Sequence, residues 1–154
     1  MDFRHLPRFV YRMLKLPPQV AYAVGLGPLI GGLVLLLTTT GRRTGKRRVT
    51  PLQYEEEGGR IYLGAARGQE ADWFRNIVAN PQVEVRVAAR RFAGLAEAIT
   101  DPAPIADFLE LRLRRHPRMV GAMLRAEGLS RNPSRGELER AASRLALVVI
   151  TPQT

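Results

Sequence analysis

The apolar residues of this chain repeat mainly with the two-residue period of β-strands. Val83, Val85 and Val87 alternate with polar residues, which places the three valines on one face of a strand. Gly58-Gly59 is a strong hairpin turn, so we expect the strand before it to pair with the strand after it. The pattern predicts six antiparallel strands: a run ending at Thr40, Arg48–Glu57, Arg60–Ala65, Gln82–Val87, Arg90–Thr100 and Leu145–Thr151.

Helical periodicity occupies the remaining regions. Asp101-Pro102 has the form of an N-cap followed by proline at the first helical position, and Ser134–Glu137 has the form of a capping box. Pro81 forbids continuation of the helix that precedes it. The predicted helices are Met1–Lys15, a short one around Gln19–Val24, Ala71–Ala79, Pro102–Arg115, about Pro117–Glu127, and one opening at Ser134.

These elements predict an α+β protein that is mainly β, with six antiparallel strands in a small barrel. We expect residues 1–154 to form a single domain. An N-terminal helical segment covers residues 1–30, and a helical insertion covers residues 101–143, before the last strand.

Charge and composition narrow the function. The chain has 24 Lys and Arg residues against 14 Asp and Glu, a formal net charge of +10. This excess predicts a negatively charged partner: nucleic acid, an anionic membrane surface or a polyanionic small molecule. There is no cysteine, which excludes disulfides, thiolate metal sites and cysteine nucleophiles. With only His5 and His116, we predict neither a metal site nor a histidine-based triad.

The loop between the first two predicted strands carries the densest positive charge. Gly41 and Gly45 bracket it, and no acid offsets its cations, which are Arg42, Arg43, Lys46, Arg47 and Arg48. Glycine-bracketed turns can direct several backbone N–H groups toward one anion, and a guanidinium group can bind an anion through a pair of hydrogen bonds. We therefore predict an anion site, with phosphate as the first candidate. The alternative is a solvated hairpin tip.

Residues 16–41 contain no charged residue, and an uncharged stretch of this length is a candidate membrane span or signal peptide. Interruptions such as Gly27-Pro28 and Gly31-Gly32, followed by a β-prone tail, argue against both. The basic, amphipathic first helix leaves two alternatives open, peripheral membrane contact or packing on the domain. We predict a cytoplasmic protein and leave contact with the inner face of the membrane open.

The run from Leu36 to Leu52 closely resembles the signature of the deazaflavin (coenzyme F420)-dependent nitroreductase or quinone reductase family, within the split β-barrel, FMN-binding-like superfamily. The family pattern is Thr-Thr-Gly-Arg-(Lys/Arg)-(Ser/Thr)-Gly, two residues, Arg, two residues and Pro-Leu. Asp72–Asn76 is similar to its Trp-Tyr-x-Asn-Leu element. The resemblance implies a split β-barrel that binds coenzyme F420 and transfers a hydride to a quinone, nitroaromatic or activated alkene, with no catalytic side chain.

The resemblance also implies the cofactor-binding residues, position by position. The phosphate end would contact Arg42, Arg43, Thr44 and Arg48. The deazaflavin ring would lie beside Val49, Thr50, Pro51, Leu52 and Gln53. A facing loop would contribute Gly64, Ala65, Ala66 and Arg67, and a helix would close the site with Trp73 and Asn76.

Three departures from the family pattern leave the acceptor open. The loop between Arg67 and Trp73 is short, Gln53 stands where many members have an aromatic residue, and residues 117–145 contain no tyrosine. The alternatives are an FMN- or heme-binding split barrel, or a cofactor-binding protein without turnover. Nucleic acid is disfavoured because aromatic residues are only 6% of the chain and none lies in the basic loop. The oligomeric state is left open.

Overall fold

The computed structural model describes residues 34–153 of the chain. These residues form seven strands, four α-helices and a short 3-10 turn at Gly68–Glu70. The strands are β1 (Leu35–Thr40), β2 (Arg47–Leu52), β3 (Glu55–Glu57), β4 (Arg60–Ala65), β5 (Gln82–Val87), β6 (Arg90–Ile99) and β7 (Ala146–Pro152). The helices are α1 (Asp72–Ala79), α2 (Pro102–Arg115), α3 (Pro117–Ala126) and α4 (Arg135–Ala142).

The two predicted N-terminal helices, Met1–Lys15 and Gln19–Val24, lie outside the described residues. The predicted membrane contact of the first helix lies outside them as well. Within residues 34–153, none of the helices has the length and apolar character needed to cross a membrane.

Within residues 34–153 the sheet already has seven strands, so the prediction of six was wrong. The predicted strand Arg48–Glu57 is two strands, β2 and β3, which pair with different partners. β2 pairs with β1, and only Glu55–Glu57 pairs with β4 across the Gly58-Gly59 turn. After β2, Arg112 of α2 donates to Gln53 Oε1 at 3.0 Å and its Nε lies 3.5 Å from Glu55 Oε1, and these contacts stabilise the turn of this segment toward the helix.

The strand order shows that the sheet is curled. The order is β2-β1-β5-β6-β7-β4-β3, with every pair antiparallel, so β2 and β3 are the two edges. In a flat sheet of this size the edge strands would stand about 29 Å apart. Leu52 ends β2 and Glu55 begins β3, and three residues of chain span at most about 11 Å. The described sheet therefore bends into a half-barrel, which confirms the α+β, mainly antiparallel prediction.

Apolar residues pack on both faces of the curled sheet. Inside, Leu37, Ile61, Val85 and Val148 belong to a core that also includes residues of α1. Outside, α2, α3 and α4 cover β7 and its neighbours with a second cluster that includes Leu147. β7 is buried on both faces, which is why its sequence is a continuous apolar run.

Local turn and capping chemistry follows the sequence closely. Gly58 and Gly59 have φ of 59° and 76°, as a two-residue hairpin of this kind requires. Asp101 accepts a hydrogen bond from the Ala103 N–H, and the capping box at Ser134 is formed with Glu137. These features confirm the predicted hairpin and helix starts.

Candidate functional site

The loop between β1 and β2 is closed by its own backbone. The Gly41 N–H donates to the Lys46 carbonyl (2.7 Å), and the Gly45 N–H donates to the Gly41 carbonyl (2.8 Å). Gly45 has φ of +72°, and a Cβ at Gly41 would lie 3.1 Å from both the Lys46 carbonyl oxygen and Thr44 Oγ1. Both glycines are therefore needed for the tight turn that presents the basic residues.

Asn76 of α1 attaches this loop to the body of the protein. Its Oδ1 accepts from the Arg42 backbone N–H (3.2 Å) and from Arg42 Nη1 (2.9 Å). Its Nδ2 donates to Thr39 Oγ1 on β1 (3.2 Å). Arg42 Nη2 also donates to Asp72 Oδ1 (3.2 Å). We call these four residues, Thr39, Arg42, Asp72 and Asn76, the Asn76 network.

The other loop cations differ in whether an acid neutralises them. Arg47 pairs with Glu84 on β5, which also pairs with Arg91 on β6. Hydrogen bonds from Arg91 and then Arg47 lower the pKa of the Glu84 carboxyl. No acid of the described chain pairs with Arg43, Lys46 or Arg48. These three side chains are the unneutralised charge of the loop.

The pairing of β1 with β2 determines which way the β2 side chains face. Thr39 lies opposite Arg48 and Leu37 opposite Thr50. Directly opposed residues of an antiparallel pair share a face, and Leu37 belongs to the inner core. Arg48 and Thr50 therefore lie on the inner side of the curled sheet, at the end where the basic loop stands.

A cavity of about 580 Å³ lies between the loop, β2 and α1. This volume is typical of small-molecule sites. It brings together eight of the predicted site residues: Arg42, Arg43, Thr44, Arg48, Val49, Thr50, Trp73 and Asn76. Gly41, Arg47 and Asp72 line it too; Gly41 and Arg47 belong to the loop predicted as an anion site, but none of the three was among the predicted cofactor-binding residues. Gly41 and Arg47 adjoin predicted residues of the basic loop, and Asp72 adjoins Trp73. Their position next to predicted residues was the only sign in the sequence that they line the cavity.

The remaining predicted site residues do not line this cavity. Leu52 and Ala65 are buried in the inner core, and Gln53 accepts a hydrogen bond from Arg112. A Cβ at Gly64 would lie 3.0 Å from the Phe108 ring, so this glycine allows α2 to approach the sheet. The predicted cofactor role of these positions stays a prediction. The residues outside the cavity are Pro51, Leu52, Gln53, Gly64, Ala65, Ala66 and Arg67.

Trp73 is both a core residue and a cavity residue. Its ring packs edge-on against Phe74, with centroids 6.4 Å apart and planes at 81°. It is only 9% exposed, yet it forms part of the cavity wall. Its indole therefore contributes a rigid, apolar part of the cavity wall.

The cavity is built for binding and orientation more than for proton transfer. Asp72 is the single carboxylate among the described residues that line it, and that carboxylate is paired with Arg42. Residues 34–153 contain no group of His, Asp or Glu side chains that could hold a metal ion. The residues present can hold an anion at one end and a flat apolar group at the other.

Solved structures of low sequence identity share this fold. A protein described as an F420 reductase has a TM-score of 0.52 at 21% identity, with 84% of this chain and 93% of that chain covered. An F420-H2 dependent reductase gives 0.52 at 22% identity, with coverage of 76% and 92%. The heme storage protein HutZ of Vibrio cholerae gives 0.55 at 14% identity, with coverage of 82% and 87%. At these identities the likeness concerns the fold alone, a split-barrel type.

Sequence comparison identifies the family. An F420H(2)-dependent quinone reductase of Mycobacterium tuberculosis is 36% identical over 73 residues, which cover 46% of this chain and 49% of that protein. The chain thus spans about half the length of the curated relatives it matches. Residues 19–127 match the sequence profile of the family described as F420H(2)-dependent quinone reductase. This match covers well over half of the 154 residues, which confirms the resemblance: the chain belongs to the F420H(2)-dependent quinone reductase family.

Proposed function

We propose that this protein binds coenzyme F420 in the cavity between the β1–β2 loop and α1, and that it passes a hydride from the reduced coenzyme to a quinone. The observation that carries the proposal is a group of three cations that have no acidic partner in the part of the chain that the structure describes: Arg43, Lys46 and Arg48, two of which line the cavity. Membership of the F420H(2)-dependent quinone reductase family supports the choice of coenzyme and acceptor.

The residues present fit the two ends of this coenzyme. Its phosphate and carboxylate tail is anionic, and Arg43 and Arg48 offer guanidinium forks for charge-assisted hydrogen bonds. Its flat ring would lie along the edge of β2, where Val49 and Thr50 line the cavity, and against Trp73. β2 pairs only with β1 in the described sheet, so its other edge is available to a ligand.

The bound coenzyme would supply the hydride, and the chain's own residues would supply position. The loop fixes the anionic end, and the edge of β2 together with Trp73 orients the ring. The carboxylate of Asp72 is engaged by Arg42, so no cavity side chain is assigned a proton-transfer role. Besides quinones, nitroaromatics and activated alkenes are candidate acceptors.

A fluorescence titration tests the proposal. Trp73 is the only tryptophan of the chain and lines the cavity, so a ligand bound there should change its emission. We expect coenzyme F420 to bind more tightly than FMN, heme or an oligonucleotide. Equal or inverted affinities for F420 and FMN would contradict the choice of coenzyme, and tightest binding of heme would favour the heme-binding alternative.

We further propose that residues 1–154 fold as one split-barrel domain, with residues 101–143 as a helical insertion and residues 1–30 as an N-terminal helical segment. The pairing of Ile99 with Leu147 supports this, because strands on either side of the insertion belong to one sheet. Contact of the N-terminal segment with a membrane stays a prediction.

A further inference from the structure

We infer that Arg42 is a positioning residue, which holds the β1–β2 loop in place through Asn76 and does not itself contact the bound anion. The inference rests on the proposed F420 function and departs from the role that the sequence resemblance implies for Arg42. Among the loop arginines that line the cavity, Arg42 alone is hydrogen-bonded to α1.

Asn76 is placed so that its side chain joins three separate parts of the chain. It is 5% exposed, it belongs to α1, and its amide group reaches both β1 and the loop. Both hydrogen bonds accepted by its Oδ1 come from Arg42, one from the backbone and one from the guanidinium. The backbone bond and the guanidinium bonds together hold Arg42, and with it the direction in which the next residue, Arg43, leaves the loop.

The charge of Arg42 is already balanced. Its guanidinium lies 3.2 Å from Asp72 Oδ1, and its Nη1 donates to the Asp72 backbone carbonyl at 3.4 Å. The Arg42 side chain is 21% exposed, whereas that of Asp72 is 82% exposed. An anion bound at the Arg42 guanidinium would also lie close to the Asp72 carboxylate, and like charges at short range repel.

Arg43 and Arg48 stand in the opposite situation. Neither is paired with an acid of the described chain, and both line the cavity. The Nε of Arg48 lies 3.5 Å from the place a Gly41 Cβ would occupy, so the Arg48 side chain leans back over the loop that Asn76 holds. Moving that loop would move both guanidinium groups relative to the cavity.

A double-mutant cycle on coenzyme F420 affinity separates positioning from direct contact. We expect Arg43→Ala to weaken binding about tenfold or more in the wild-type background, the usual worth of a charge-assisted contact. In an Asn76→Ala background the loop is misplaced, so the same change should cost less than about threefold. The losses of F420 affinity caused by Arg42→Ala and by Asn76→Ala should not add up in the double variant. Full additivity of Arg43→Ala with Asn76→Ala would overturn the inference.

Amide hydrogen exchange of the ligand-free protein provides a readout that needs no coenzyme. In Arg42→Ala and Asn76→Ala, we expect the Gly41 and Gly45 amides to lose protection, while Arg43→Ala keeps it. Arg42→Lys retains the charge without the guanidinium fork, so it should behave like Arg42→Ala and not like the wild type. Because Asn76 is buried, Arg42→Lys also serves if Asn76→Ala fails to fold.

The two experiments also separate this inference from the proposed function. If the wild type does not bind F420 but the exchange results are as expected, the proposed function fails and the positioning role stands. If the wild type binds F420 and the loop amides keep their protection in Arg42→Ala, Arg42→Lys and Asn76→Ala, the positioning role fails. Retention of wild-type affinity by Arg42→Lys would likewise overturn it.

Discussion

The arginines of the β1–β2 loop have different neighbours, and those neighbours separate their roles. Arg42 and Arg47 are paired with acids, whereas Arg43 and Arg48 have no acidic partner among residues 34–153. We predict that Arg43→Ala or Arg48→Ala weakens F420 binding by about 1.5–3 kcal/mol, because each loses a charge-assisted contact. The melting temperature of the ligand-free protein should hardly change.

The matched control is Arg131→Ala, which removes an exposed arginine of the helical insertion that does not line the cavity. It lowers the net charge by the same one unit as Arg43→Ala or Arg48→Ala, so it should reproduce only the part of the affinity loss that comes from net charge. A Trp73 fluorescence titration measures all three variants. Equal weakening by Arg131→Ala would mean that the loop arginines act through net charge alone.

The turn between β5 and β6 contains a non-glycine residue with a positive φ. Ala88 has φ of 51°, a left-handed conformation that costs a residue with a Cβ about 1–2 kcal/mol. Ala88→Gly should therefore raise the free energy of unfolding by about 0.5–1 kcal/mol, once glycine's greater freedom in the unfolded chain is subtracted. Urea denaturation measures the change, and Ala89→Gly, without a positive φ to relieve, should be neutral or destabilising.

Glu84 links three elements, because it lies on β5 and pairs with Arg47 of β2 and Arg91 of β6. Arg91 and Arg47 lower its pKa below the ordinary value of 4.5. A lowered folded-state pKa gives stability that is present above the unfolded pKa and is lost as the pH falls through the folded value. We predict that Glu84→Gln destabilises by about 0.5–1 kcal/mol at neutral pH, as is usual for partly exposed pairs.

The difference between wild type and Glu84→Gln should stay constant as the pH falls from about 7 to 5.5 and then shrink below about 4.5. Thermal denaturation of both proteins across this range measures it. A difference that persisted in acid would show that packing, and not charge, accounts for the effect of the substitution.

A buried ionic cluster joins β3 to α2. The Glu55 and Arg112 side chains are each 6% exposed, with Arg112 Nε 3.5 Å from Glu55 Oε1. His116 Nε2 lies 2.9 Å from the same oxygen, and Arg112 also donates to Gln53 Oε1 at 3.0 Å. Burial lowers the pKa of Arg112, and the charge of Glu55 opposes that shift.

Removing one member of this buried pair should be costly. We predict that Glu55→Gln destabilises the protein by about 3–5 kcal/mol, because it leaves the Arg112 guanidinium buried without its carboxylate. The double variant Glu55→Gln, Arg112→Met should recover most of the lost unfolding free energy, because it removes the unpaired buried charge as well. Chemical denaturation of the two variants decides the matter, and a loss below about 1 kcal/mol for Glu55→Gln would mean that water reaches the cluster.

Local chemistry was predictable from the sequence, and distant pairing was not. The Gly58-Gly59 turn, the strand Gln82–Val87 and the Ser134–Glu137 capping box follow from neighbouring residues alone, and the structure contains all three. The break between β2 and β3 carries no glycine or proline of its own. The residues at this break, Gln53 and Glu55, contact Arg112, far along the chain, and no periodicity can reveal such a contact.

The candidate site also has features that the sequence predicts and a pairing that only the fold shows. The basic loop and the Trp73 motif were visible as patterns, and both line one cavity. The pairing of Arg42 with Asp72 was not visible, because thirty residues separate the two and only the docking of α1 brings them together. A list of loop cations therefore overestimates the charge available to a ligand.

For the molecule as a whole, we predict turnover without a titrating side chain. Reduced F420 with menadione should be oxidised in the presence of the protein, at a rate without a bell-shaped dependence between about pH 6 and 8. The reason is that the described cavity contains a single carboxylate, already engaged by Arg42. Coenzyme oxidation followed by absorbance measures the rate.

A panel of quinones, nitroaromatics and enones should be tested together with menadione, because the sequence leaves the identity of the hydride acceptor open. Protein heated to denaturation is the control for uncatalysed oxidation. Tight F420 binding with no acceptor reduced would make the chain a coenzyme-binding protein without turnover, and a clear bell-shaped profile would require an acid or base that the described cavity lacks.

The position of β7 in the strand order has a consequence for biosynthesis. β7 follows every other described strand along the chain, yet it lies between β6 and β4 in the interior of the sheet. Until the ribosome has released it, the nascent chain can form one ribbon of β2, β1, β5 and β6 and a separate hairpin of β3 and β4, each with an unpaired edge. Exposed edges of this kind recruit other chains. We expect the half-made protein to depend on chaperones until β7 emerges and joins the two pieces.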